Sequence, residues 1–387
     1  MLQSDSSTPS PQFPDKSVTS SELYIGLMSG TSMDAMDAVL VDLSAKLPVL
    51  QGQVSRPMPA SLRTQLQSLC QPGENEIEKM CQADLAVAIL SVEAINELLR
   101  ATKVEASAIR AIGSHGQTIR HLPAIGNTLQ IGNPSLIAEQ TGITTVADFR
   151  RRDMAAGGEG APLVPAFHDA VFRHPECARV IANIGGIANI TVIPAEAEQQ
   201  VIGFDTGPGN TLMDDWCYRH SGRRYDKNGS WAATGTICQP LLETLLADPF
   251  FSRLPPKSTG KEYFHHSWLW HGITQLDAAP KAEDVQATLL ELTVQSLAHD
   301  IQTHAPACRE VYLCGGGAQN TALVRRLTRV LANCHIATTD SLGLPSQWVE
   351  ATAFAWLARQ TLHGLPGNLP AVTNASGRRI LGGVYPA

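Results

Sequence analysis

Along this chain, short apolar runs cut by glycine alternate with longer stretches in which apolar residues recur every three or four positions. "YIGLMSGTSMDAMDAVLVDL" (residues 24–43) has two apolar arms around a turn of glycine, hydroxyl and acidic residues, which predicts a β-hairpin. "RVIANIGGIANITVI" (179–193) repeats the plan roughly 155 positions later. Residues 77–99 and 284–304 carry apolar positions at helical spacing with no Gly or Pro and predict two long helices. "IRAIGSHGQTI" (109–119) reads as a buried strand breaking into a loop. "VIGFDTGPGNTLMDDW" (201–216) and "EVYLCGGGAQNTALVRRLTRVL" (310–331) read as strand, glycine loop, helix. Residues 144–167 read as a strand and a long polar, glycine-rich connection, and 347–362 as a last helix. Strands alternating with helices and hairpins predict an α/β protein with mixed sheets.

The echoed hairpins suit a duplicated lobe. Glycine turns expose backbone N–H groups, and such concavities bind phosphate. Two facing lobes, each offering such a turn, would grip a nucleoside triphosphate. Any one glycine turn is ordinarily only a turn. The first crowds Thr31, Ser32 and Asp34 beside Gly30, more than a plain turn needs. Gly185 and Gly186 form the second, and Gly315, Gly316 and Gly317 a third glycine element at a strand-to-helix junction. No G-x-x-x-x-G-K-[ST] occurs, which removes the P-loop route.

Composition narrows the field. With 387 residues the chain is long enough for one large or two medium domains. A formal net charge of -7 argues against a nucleic-acid partner. No apolar run approaches the roughly 18 residues a membrane span needs. Residues 1–22 are Ser/Pro-rich without an apolar core, so a disordered tail and no secretory signal are expected. The eight cysteines are scattered without C-x-x-C spacing, and the twelve histidines form no H-E-x-x-H. Reduced thiols, a cytoplasmic setting and no side-chain metal cage follow as expectations.

The segments "GLMSGTSMDAMD" (26–37), "AIGSHGQTIRH" (111–121), "LQIGNPSLIAEQTG" (129–142), "VADFRRRDMAAGGEGAPLVPAF" (146–167), "NIGGIANI" (183–190), "GFDTGPGN" (203–210), "PKSTGKEYF" (256–264), "VYLCGGGAQN" (311–320) and "WVEATAFAWLA" (348–358) carry a resemblance. Over roughly residues 23–387 the chain resembles the anhydro-N-acetylmuramic acid kinases of the actin-like, sugar-kinase and Hsp70 ATPase superfamily. The resemblance implies a two-lobed actin-like (ribonuclease H-like) fold with mixed sheets and a nucleotide cleft between lobes. One lobe would span 23–145 with the C-terminal segment 363–387, the other 146–362. It implies ATP and Mg²⁺ as cofactors, a small anhydrosugar as substrate and a homodimer. The implied reaction opens the 1,6-anhydro bridge with water at C1 and phosphorylates O6, in cell-wall recycling. By the same resemblance Asp205 matches the base that activates water, and Glu350 a second carboxylate beside the sugar.

The ATP site would comprise Gly30, Thr31, Ser32, Met33, Asp34, Ala35, Met36, Asp37, Gly185, Gly186, Gly207, Gly209, Asn210, Gly315, Gly316, Gly317 and Asn320. Asp34 would hold Mg²⁺ through water, its other reading being an Asx-turn. His115, Gln117, Arg150 and Asp153 are the candidate sugar contacts. Two positions depart from the family pattern: Ala35 stands where glycine is usual and Glu159 where glutamine is usual. A positive φ at Ala35 would be strained. Two other functions fit the same lobes, a chaperone-like or actin-like ATPase and a sugar-binding regulator without catalysis. ATP turnover that requires anhydrosugar separates the kinase from both.

Overall fold

The computed structural model describes residues 21–387. The expected tail therefore lies outside the described residues except for its last two. Those are tied down: Ser21 Oγ donates to Asp42 Oδ2 at 2.8 Å, and Arg359 Nε pairs with Glu22 Oε2 at 2.9 Å.

Two sheets carry the fold. The first holds β1 (Leu23–Met28), β2 (Ala35–Asp42), β3 (Val49–Pro57), β4 (Ile109–Ser114), β7 (Thr145–Ala147) and β13 (Gly383–Tyr385), in the order β13-β7-β4-β1-β2-β3. The second holds β8 (Arg179–Ile184), β9 (Ile187–Ile193), β10 (Ile202–Pro208), β11 (Glu310–Cys314) and β12 (His335–Thr338), in the order β10-β9-β8-β11-β12. A small hairpin, β5 (Gln117–Leu122) with β6 (Asn127–Ile131), stands apart. Setting β13 aside, each sheet places its strands 3-2-1-4-5 in chain order. In both, the first three form an antiparallel meander and the last two run parallel to the first. The echo between the two hairpins is thus a duplication of topology, the ribonuclease H-like plan that the resemblance implies.

Parallel neighbours need a crossover, and the long periodic segments supply it. The helix Glu76–Thr102 spans from β3 to β4 and buries Val87, Ala94, Ile95 and Leu98 against Ile25, Leu40 and Ile112. The helix Ala282–His304 spans from β10 to β11 and buries Leu289, Leu292 and Leu297 beside Ile184, Ile190 and Phe204. The connection read as polar and glycine-rich is partly helical instead, at Phe149–Ala155 and Val164–Phe172. β7 straddles the expected lobe boundary at 145/146 and lies wholly in the first sheet.

The helix Val349–Leu362 joins the two halves because it is apolar on opposite faces. Ala351, Phe354, Ala355 and Ala358 pack with Tyr24, Val39 and Ala111 of the first lobe. Val349 and Ala353 pack with Phe167, Ile181 and Tyr312 of the second. Its backbone approaches β1 and β4 so closely that a Cβ on Gly26 would overlap the Ala351 carbonyl, and one on Gly113 the Phe354 carbonyl. Overpacking of this kind costs about 1–3 kcal/mol. Gly113→Ala should therefore lower the unfolding free energy by that amount. Gly73→Ala, where an added methyl meets nothing within 4 Å, should leave it within about 0.5 kcal/mol of wild type. Urea titration of both variants checks this; an unshifted Gly113→Ala midpoint would mean the helix does not sit so close.

Candidate active site

The β1–β2 and β8–β9 turns face each other. A Cβ on Gly186 would lie 3.6 Å from Thr31 Oγ1 and 3.1 Å from Lys261 Cε, so the missing side chain leaves a gap between the turns. Lys261 Nζ crosses that gap and donates to the Thr31 carbonyl at 3.2 Å. Thr31, Ser32 and Asp34 are exposed, and Gly30, Gly185 and Gly186 half-buried. The first turn is stiffened from behind. Arg63 Nε donates to the Met33 carbonyl at 2.9 Å, Arg63 Nη2 pairs with Asp34 Oδ1 at 3.3 Å, and Ser29 Oγ donates to Gln117 Oε1 at 2.7 Å. The second turn is held by Gly209 N to Gly186 O at 2.9 Å and Asn210 N to Gly185 O at 2.8 Å.

Charge gathers at this gap. Burial pushes the Asp214 carboxyl up to about 7; Lys261 pulls it down, while Asp34 and Asp226 push it further up. Burial lowers the Lys261 ammonium, which Asp34 and Asp214 both stabilise. Neither Lys261 nor Asp214 stood out in the sequence. Their signal is only that "PKSTGKEYF" holds a charged pair, Lys261-Glu262, after its glycine and that Asp214 lies in the first turn of a helix.

A second polar group runs across the lower sheet. Asp205 on β10 pairs in register with Asn189 on β9, which pairs with Asn183 on β8. In-register residues share a face, so the three side chains form a row about two strand spacings, roughly 10 Å, long. Asn183 Nδ2 then reaches Glu350 Oε1 at 3.4 Å. Asp205 and Glu350 thus stand at opposite ends of a polar floor wide enough for one sugar ring. Asn183 and Asn189 are the residues the sequence did not single out.

Asp205 accepts from Thr259 N at 2.9 Å and Ser258 Oγ at 3.1 Å. Burial nonetheless pushes its carboxyl up to about 6, against the pull of those two bonds; Glu262 pushes it further and Lys257 opposes. Glu350 is raised too, by burial first, with Arg150 lowering it and Asp37 raising it. Arg150 donates to His115 Nε2 at 3.0 Å and to the Gly160 carbonyl at 2.9 Å. His115 therefore presents a neutral ring, its pKa lowered to about 3 by burial and by Arg150.

Several expected contacts are placed elsewhere. Asp153 is fully buried and its carboxylate is spent on Asn368 Nδ2 (2.6 Å), Thr373 Oγ1 (2.8 Å) and Gly160 N (2.9 Å); it staples the C-terminal segment and does not face a sugar. Gln117 is fully buried behind the first turn, and His115 holds Arg150, so of the four only Arg150 remains half-open. Met33 and Met36 belong to the first lobe's core. Gly207, Gly209 and Gly317 are buried and serve close packing, against Phe251, the Gly185 carbonyl and Ile184. At Gly315, with φ 79°, a Cβ would meet Asn183; only Gly316 of the three is open. The α-helix after this run starts at Thr321, with Asn320 Oδ1 capping it by accepting from Leu323 N at 3.2 Å, and only a single 3₁₀ turn, Gly316–Gln319, begins at the glycines. Asp37 accepts from Ser55 Oγ at 2.6 Å and lies near enough to Glu350 to raise its carboxyl.

A sequence profile described as AnmK, anhydro-N-acetylmuramic acid kinase, matches residues 22–387. The chain belongs to the anhydro-N-acetylmuramic acid kinase family. It is 50% identical to the kinase of that name from Pseudomonas paraeruginosa over 364 residues, 94% of this chain and 99% of that protein. With the one from Nitrosospira multiformis it shares 51% over 366 residues, again 94% and 99%. Among solved structures it overlaps component A of the Acidaminococcus fermentans (R)-2-hydroxyglutaryl-CoA dehydratase with TM-score 0.45 and 12% identity, covering 86% of this chain and 96% of that one.

The chain's two departures from the pattern of these kinases cost it little. The left-handed residue of the first turn is Met33, φ 55°, whereas Ala35 begins β2 paired to Pro57, so its methyl meets no backbone strain. Glu159 Oε1 accepts from Asn374 Nδ2 at 3.2 Å, tied to the C-terminal segment.

If Asp205 is the base it must be ionised to act, and kcat/KM should fall as pH drops through about 6. Asp205→Asn should lose at least about 10²-fold in rate. Because the folded carboxyl binds its proton more tightly than an unfolded one, its cost to folding grows between about pH 4 and 6 and is complete above that. Asp205→Asn should therefore melt no lower than wild type at pH 8. A flat rate profile from pH 5 to 8 would contradict the assignment.

Proposed function

We propose that this chain uses ATP to convert 1,6-anhydro-N-acetylmuramic acid to N-acetylmuramic acid 6-phosphate, recovering sugar from cell-wall turnover. The observation that carries the reading is the polar row from Asp205 to Glu350, lying beside two glycine turns that face each other. Asp205 takes a proton from water as the water oxygen bonds to C1 of the sugar. The C1–O6 bond breaks, O6 accepts the γ-phosphoryl group of ATP, and ADP leaves with the bridging oxygen. Arg150 and Glu350 at the far end of the row orient the ring. Lys261, Thr31, Ser32 and the Gly185 and Gly186 turn cradle the phosphates.

Magnesium fits the same gap. Asp34 is exposed at the turn beside the Lys261 ammonium, and Mg²⁺ commonly uses one or two carboxylates with phosphate oxygens and water. Bound there it would neutralise phosphate charge. Among the described residues no cluster of three or more His, Cys, Asp or Glu forms a metal cage, and no helix is long and apolar enough to cross a membrane. A homodimer in the cytoplasm belongs to the same proposal.

Incubation with ATP, Mg²⁺ and the anhydrosugar in ¹⁸O water, read by mass spectrometry, tests the reading. One ¹⁸O at C1 and phosphate on O6 are expected, with ATP consumed only when sugar is present. ATP hydrolysis indifferent to sugar would favour an actin-like ATPase, and binding without turnover a regulator.

A further inference from the structure

The segment that carries Ser258, Thr259 and Lys261 holds an ion pair that the chemistry above does not use. Lys257 Nζ pairs with Asp300 Oδ2 at 3.0 Å, with side chains only 1% and 5% exposed. The ammonium also lies 5.5 Å from the centre of the Phe204 ring and 5.1 Å from that of Phe250. His304 stands behind Asp300, its Nε2 3.9 Å from Oδ1, with its ring edge-on to Phe204 at 5.0 Å. A buried ion pair adds little net stability over apolar residues of the same volume, because desolvation offsets the attraction. Its use lies in fixing one arrangement of the chain.

That arrangement bears on Asp205. The Lys257 carbonyl accepts from Asp205 N at 3.1 Å, and the next two residues supply both hydrogen bonds to the Asp205 carboxylate. Lys257 is thus fastened to β10 through its main chain and to the helix Ala282–His304 through its side chain. We propose that the Lys257–Asp300 pair is a positioning device: it locks residues 257–259 over the middle of β10 so that Ser258 and Thr259 hold the Asp205 carboxylate in line with the polar row. The proposal rests on Asp205 being the base.

The groups facing Asp205 are Lys257 and Glu262 with the Ser258 and Thr259 donors, and His299 and His304 face Asp300. Releasing the segment weakens the two bonds and removes the ammonium, all of which favour the charged carboxylate. The pKa of the base must then rise.

Lys257→Met alone leaves Asp300 buried and unpaired, so the deciding protein is Lys257→Met/Asp300→Asn, which removes both charges. It should fold, with the circular dichroism of wild type. Its kcat should fall by about 10²-fold, the cost of a small misplacement at a reacting centre, while KM for ATP and for the anhydrosugar stays put. The acid limb of kcat/KM should move to higher pH, and the Thr259 amide should exchange with solvent faster. A folded double variant with wild-type kcat, acid limb and Thr259 protection overturns the proposal. Asp205→Asn separates the two claims. If it is inactive while the double variant is unimpaired, the anchor alone is wrong. If it turns over at the wild-type rate, the base is wrong and the anchor has nothing to position.

Discussion

A half-buried carboxylate in the middle of β10, with two hydrogen bonds and, among the described residues, no cation in direct contact, is the constraint from which this site follows. Burying a charge is costly unless it is bonded, and among the described residues Asp205 is bonded only by Ser258 and Thr259. The segment 256–264 must therefore lie over β10. Once there, the same segment carries Lys261 to the Thr31 carbonyl of the other lobe. On the proposed reading, the partial cost of charging Asp205 is what makes it basic enough to take a proton from water near neutral pH.

Duplication explains why one segment can serve both ends. Two sheets with the same strand order present the same turn, and the helix Val349–Leu362 packs between them with its backbone against Gly26 and Gly113. That contact also fixes Glu350, on the helix's first turn, at the far end of the row from Asp205. On the proposed reading, phosphate and sugar sites are then neighbours, as a reaction that passes the phosphoryl group to a sugar oxygen requires.

Much of this was legible in the chain because periodicity and glycine are local signals. The two echoed hairpins and the long helices at residues 76–102 and 282–304 lie where the patterns put them, whereas the strand carrying Asp205 runs on to Pro208 through the expected loop. What sequence could not separate was a side chain's direction. Met33 and Met36 share a motif with Thr31 and Asp34, yet point into the core. Asp153 follows an arginine run and looks like a solvated acid, but its partners Asn368 and Thr373 lie more than 200 positions away. Lys261 and Asp214 read as ordinary surface charges until folding brings them to one gap. The helix Phe149–Ala155 was hidden by neighbouring glycines, which begin just past its end.

The central claim is that burial makes Asp205 a base poised near neutrality. Titrating the protein labelled with ¹³C at aspartate carboxyls, and assigning the Asp205 signal as the one lost in Asp205→Asn, measures this directly. The account predicts a midpoint of about 6 for that carboxyl. A midpoint below about 4, the range of an ordinary exposed aspartate, would contradict it.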